Sequence, residues 1–178
     1  MERSLLGECR PRFSAYLVTG EARRAGHKVS ATAVSAVVVS FHTGPRLKEC
    51  LYALAGDSGV AEIIVVDNGN PESMQTWLEA FATAREAVTL MSGQGNVGFG
   101  AGVNLGVASA RHQQVLVINP DAVLRRGSIE SLQSVAVSLD TPWIVGGRIY
   151  DLYGREERGP RRRELTLWRA ATSLLGGA

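Results

Sequence analysis

Two carboxylates and several side-chain amides stand just past apolar runs in this sequence. Asp67-Asn68-Gly69 follows Ile63-Ile64-Val65-Val66, and Asn119-Pro120-Asp121 follows Val115-Leu116-Val117-Ile118. An aspartate such as Asp67 can accept hydrogen bonds from a ribose hydroxyl or a base N–H. The Asn68 amide both donates and accepts, which suits the edge of a pyrimidine. Asp121 offers hard oxygen ligands, and magnesium or manganese is commonly held by one or two protein carboxylates plus substrate phosphate oxygens. Pro120 pushes Asn119 toward an extended backbone, so the side chains around it are held in defined directions. Each motif also has a plainer reading. Asp-Asn-Gly is good turn chemistry, and Asp121 can cap the turn that follows it. His42 follows a third apolar run, Val37 to Phe41; a single histidine at such a place is more often a surface or capping residue than a catalytic one.

The glycine stretch Gly93-Gln94-Gly95-Asn96-Val97-Gly98-Phe99-Gly100-Ala101-Gly102 needs weighing by itself. Its first six residues match G-x-G-x-x-G, with an apolar run before and Asp121 roughly the ~20 residues downstream that a dinucleotide fingerprint requires. Three features count against that reading. Two strand-helix pairs precede the stretch, whereas the fingerprint usually opens its fold. Glycines continue at Gly100, Gly102 and Gly106, which weakens a helix whose N-terminus must hold a pyrophosphate. The fingerprint also explains neither Asp67-Asn68 nor Asn119-Pro120. A purely structural glycine loop stays open as well.

The elements that must position these groups follow from periodicity. Ala33 to Phe41 is β-branched and almost wholly apolar, and so are Ala61 to Val66, Ala87 to Met91, Gln114 to Ile118 and the shorter Trp143 to Val145. Such runs, bounded by turn residues, read as strands, the first two as strands buried on both faces. Between them Leu47, Cys50, Leu51 and Leu54, then Met74, Trp77, Leu78 and Phe81, then Val103 to Ala110, then Ile129, Leu132, Val135 and Leu139, repeat at helical spacing. Alternating strands and helices predict an α/β fold with a mostly parallel sheet. Ligands in such sheets sit beyond the carboxyl ends of the strands, where Ser40, His42, Asp67, Asn68, Asn119 and Asp121 all fall. Order is expected from Ala33 onward, with residues 1–30 a polar, basic lead-in. A body over 31–150 would then be followed by an Arg-rich tail, 151–178, ending in a short amphipathic helix around Trp168.

Composition narrows the class. The 178 residues are 45% hydrophobic and 20% charged, enough apolar material for a core, and the formal charge is +2. That balance excludes a general nucleic-acid binder, which needs a concentrated basic face. Two cysteines, Cys9 and Cys50, are too few for a disulfide scaffold or a zinc site and are expected to be reduced. The best apolar run, Ala31 to Phe41, is far shorter than the ~20 residues of a spanning helix. Met1 to Lys28 mixes both charge signs and does not read as a secretory signal. A cytoplasmic location is the expectation. The arginines from Arg155 to Arg163 leave open a peripheral contact with anionic lipid headgroups or with substrate phosphates.

Together these stretches resemble the nucleotide-binding half of glycosyltransferase family 2, in particular its rhamnosyltransferase-like members. The matching segments are Val37 to His42, Ile63 to Gly69, Gly95 to Gly106 and Val117 to Asp121, in order and spacing over about Val34 to Gly147. The resemblance implies the GT-A fold, a Rossmann-like sheet flanked by helices. It implies that Ser40 and His42 border the base and ribose, although the family usually has asparagine where His42 stands. Asp67 and Asn68 would hold base and ribose, and Asn96, Gly98 and Asn104 would shape the donor pocket. Asp121 would be the metal carboxylate, with Asn119 where a first aspartate often sits. The implied cofactor is Mg2+ or Mn2+, and the donor a UDP- or dTDP-linked sugar. The implied reaction is inverting transfer to a saccharide or lipid-linked acceptor in cell-surface polysaccharide or glycolipid assembly. The family's catalytic base lies well downstream in an acidic element. The later acids here, Glu130, Asp140, Asp151, Glu156, Glu157 and Glu164, lack that context. The chain is therefore expected to stop short of the acceptor-binding half, and a non-catalytic nucleotide-sugar module is the alternative. A homo-oligomer or a partner chain stays open.

Overall fold

The structure, a computed structural model, describes residues 15–19, 33–140, 142–151 and 153–156. Six strands form one sheet. In chain order they are β1 (Ala15–Thr19), β2 (Val34–Ser40), β3 (Val60–Asp67), β4 (Val88–Met91), β5 (Gln114–Ile118) and β6 (Ile144–Gly146). Four helices connect them: α1 (Arg46–Ala55), α2 (Glu72–Thr83), α3 (Phe99–Ser109) and α4 (Ser128–Ala136). The order across the sheet is β4-β3-β2-β5-β1-β6. The first four are mutually parallel, and β1 runs antiparallel to both β5 and β6.

All seven residues of β2 are buried, as its almost wholly apolar run required. Alternate side chains feed two cores. Val34, Ala36 and Val38 of β2, with Ile63 and Val65 of β3 and Leu116 and Ile118 of β5, meet the buried stripes of α1, α2 and α4. Val37, Val39, Ile64, Val66 and Val115 face the other way, toward Val103 of α3. In α2, Met74, Leu78 and Phe81 are buried at helical spacing, and Trp77 stacks on Phe81 with ring centroids 4.9 Å apart. Helix α3 forms in spite of its glycines because they let it come close to the sheet. A Cβ on Gly102 would lie 2.8 Å from Val39 Cγ1, and one on Gly106 would overlap Val37 Cγ1.

Near the amino ends of β2 and β3, Ser35 and Glu62 satisfy each other. Glu62, 2% exposed, accepts from Ser35 Oγ at 2.6 Å and from the Arg111 backbone N–H at 2.9 Å. It also pairs with Arg111 Nε at 2.9 Å.

One expectation needs correcting. The sequence predicts no strand before Ala33, yet β1 lies within the polar lead-in and is hydrogen-bonded between β5 and β6. Its run is only five residues, and its partners lie far along the chain, from Tyr16 opposite Val117 to Val18 opposite Ile144. Leu17 is nonetheless completely buried.

The chain divides after Gly147. In the second unit Asp151 Oδ1 accepts from the backbone N–H groups of Tyr153 and Arg155, and Tyr150 bridges to Glu156. Cys9, the arginines beyond Arg155 and the expected helix around Trp168 lie outside the described residues.

Candidate functional site

The crossovers decide where a crevice can form. From β2 the chain passes through α1 to β3 on one side, and later returns through α3 to β5 on the other side of β2. That reversal makes the carboxyl ends of β2 and β5 a topological switch point, the usual place for a ligand in an open parallel sheet. Both β3 and β5 are direct neighbours of β2. The strand ends leading to Asp67 and Asp121 are therefore two strand spacings, about 10 Å, apart on one rim.

Ser40 and Asp67 are register partners at that rim. Asp67 is 3% exposed, and its Oδ1 is occupied: it accepts from the N–H of Gly69 at 2.9 Å, and from the N–H and Nδ2 of Asn70, both at 2.8 Å. No described group donates to its second oxygen. Ser40 is fully buried, and its hydroxyl lies 3.0 Å from Thr43 Oγ1 and 3.0 Å from Asn70 Nδ2. Asn70 therefore ties the loop after β2 to the loop after β3. Asn70 is a site residue that the sequence analysis did not single out.

Phe41 is 52% exposed and lies over Gly69, and the exposed His42 meets its ring edge-on at 4.6 Å. His42 has a φ of +50°, in the left-handed region. Asn68 stands beside Asp67 but is 2% exposed, and its Nδ2 donates to the Gly98 carbonyl at 3.1 Å. Asn96 is exposed, and its Oδ1 receives the Gly98 N–H at 3.0 Å. Gly98 itself, at φ 81° and ψ 166°, occupies backbone space that side chains exclude and starts α3. Asn104 lies further along α3, exposed, on the side of the helix away from the buried Gly102 and Gly106.

On the β5 side, the Asn119 carbonyl accepts from the Ala122 N–H at 3.1 Å and from Cys50 Sγ at 3.6 Å, which anchors the turn to α1. Burial and the nearby Asp121 charge push the Cys50 thiol up to about 12. Asp121 is half-buried. Its pKa is raised by that burial, against a hydrogen bond from its own backbone and the charge of Arg46, both of which lower it. Arg46, at the start of α1, also pairs with Glu49 at 2.7 Å. No group of three or more His, Cys, Asp or Glu side chains gathers among the described residues. A lone half-buried carboxylate still fits a cation that takes its remaining ligands from water and substrate phosphates.

A parallel run of strands with a polar rim at its switch point, and a glycine loop opening the helix beside it, defines an α/β domain of the GT-A kind. The family model described as glycosyl transferase family 2 matches residues 35–176, and the chain belongs to that family. It is 27% identical over 141 residues to the low-salt glycan biosynthesis hexosyltransferase Agl10 of Haloferax volcanii, covering 77% of this chain and 43% of that protein. It is 25% identical over 114 residues to the glycosyltransferase GlyG of Streptococcus pneumoniae, covering 64% and 38%. The chain thus spans about two-fifths of the length of these relatives. The crystal structure of S. aureus TarS matches with a TM-score of 0.50 at 17% identity, over 57% of this chain and 19% of that one, a likeness of fold alone.

Proposed function

We propose that the chain binds a nucleoside-diphosphate sugar with a divalent cation at this switch point and transfers the sugar, with inversion, to an acceptor hydroxyl. The observation that carries the reading is that Asp67 ends β3 and Asp121 stands three residues past β5, the two strands that flank β2 in parallel. Ser40 and His42 border base and ribose, and the unengaged oxygen of Asp67 accepts a hydrogen bond from the donor. Asn96 and Gly98 shape the loop over it, and Asn119 and Asp121 face the diphosphate. Asp121 would hold Mg2+ or Mn2+, which when bound neutralises charge on the departing diphosphate. The Asn-Pro-Asp form of this turn supports a rhamnosyltransferase-like donor choice, UDP- or dTDP-linked. The acceptor class is a growing saccharide or a lipid-linked glycan. Work at the cytoplasmic face of a membrane suits that acceptor, although no described helix is long and apolar enough to cross one.

Calorimetric titration of UDP and dTDP, each with and without Mn2+, tests the reading. Cation-dependent binding of at least one is expected; no binding of either in Mn2+ defeats it. A second reading, a nucleotide-sugar-binding module without catalysis, draws on the later acids. Asp151 spends one oxygen on two backbone amides, and Glu130 and Asp140 are exposed. Clear sugar transfer from a donor panel by the isolated chain would eliminate that module.

A further inference from the structure

Residues 92–98 join β4 to α3 without regular structure, and Gln94 alone among them is not exposed. Gln94 Nε2 donates to the Asp67 carbonyl at 2.8 Å. The next residue of β3's end reaches back: Asn68 Nδ2 donates to the Gly98 carbonyl at 3.1 Å. The loop is therefore held near both of its ends by two consecutive residues of the Asp67 rim. The Gly98 carbonyl also accepts the Gly102 N–H at 3.0 Å, the first hydrogen bond of α3, so the same oxygen sets both the loop and the helix start. The Asn68 Oδ1 is buried, and no described residue donates to it. Turning the amide over would set oxygen against the Gly98 oxygen.

We propose that Asn68 and Gln94 form a reciprocal amide clamp fixing the glycine loop over the rim, and that Gln94 is a positioning residue for the donor. Asn68 then acts on the donor through Gly98 rather than by touching a base. The inference rests on the donor-binding reading above for its second half only.

The test measures two things on wild type, Gln94→Ala and Gln94→Glu. One is hydrogen exchange at the Gly98 and Gly102 amides. The other is titration with UDP and dTDP in Mn2+. Gln94→Glu keeps the length but places an acceptor against the Asp67 carbonyl. Both variants should speed exchange at the two amides and weaken binding about fivefold to tenfold, the worth of one hydrogen bond, with little change in Tm. Gln94→Lys, which keeps a donor, should restore slow exchange. Unchanged exchange in both Gln94→Ala and Gln94→Glu overturns the clamp. Faster exchange with unchanged affinity overturns the positioning role. If wild type binds neither nucleotide, the donor reading and the positioning role fall together, while exchange still decides the clamp.

Discussion

Burial raises the Asp121 pKa, with its own backbone hydrogen bond and Arg46 opposing. The folded value therefore lies above the ordinary 3.8. A folded state that holds the proton more tightly loses stability as pH rises from the unfolded value through the folded one. At neutral pH the ionised group is therefore a net cost to the fold. Asp121→Asn should thus raise Tm at pH 7, with the gain vanishing below about pH 4, and should abolish cation-dependent nucleotide binding. Thermal melts across pH with parallel titrations check this; a lower Tm for the variant at pH 7 would show that the two opposing groups outweigh burial. Asp67 and Asp121 were legible in the sequence because acids directly after apolar runs have few other places to go. Asn70 and Gln94 were not, because an amide's partner is set by loop geometry that spacing does not encode.

At the level of elements, the approach of α3 to β2 sets the height of the glycine loop above the rim. Gly106→Ala would drive a methyl into Val37, and overpacking of this sort costs about 1–3 kcal/mol. The variant should lose that much stability in denaturant melts, and adding Val37→Ala should recover part of it by making room. A double variant no more stable than Gly106→Ala would mean that α3 is held off the sheet by something else. Strands β2 to β5 and helices α1 to α4 were readable from period and turn residues, but Thr89 of β4 is exposed, as are Val135 and Leu139 of the expected last helical stripe. The continued glycines, which at first sight argue against a helix from Phe99, acquire their meaning only from the valines they meet across the sheet.

Across the molecule, β1 completes the sheet by separating β5 from β6. Leu17 is fully buried in the larger core, so Leu17→Ala should cost about 2–5 kcal/mol in chemical denaturation. A loss below about 0.5 kcal/mol would mean that this strand contributes little to the fold. Local pattern could not reveal β1, since a five-residue run among charges gains its stability from partners a hundred positions away. Thr19 pairs with Gln114 and Ala15 with Ile118. Such distant pairing is intrinsically slow to form, and a ribosome releases its chain from the amino end. Until its partner strands have emerged, this polypeptide therefore carries an adhesive segment with nothing yet made to receive it. The interval before residue 118 emerges is when a chaperone would matter most to its yield.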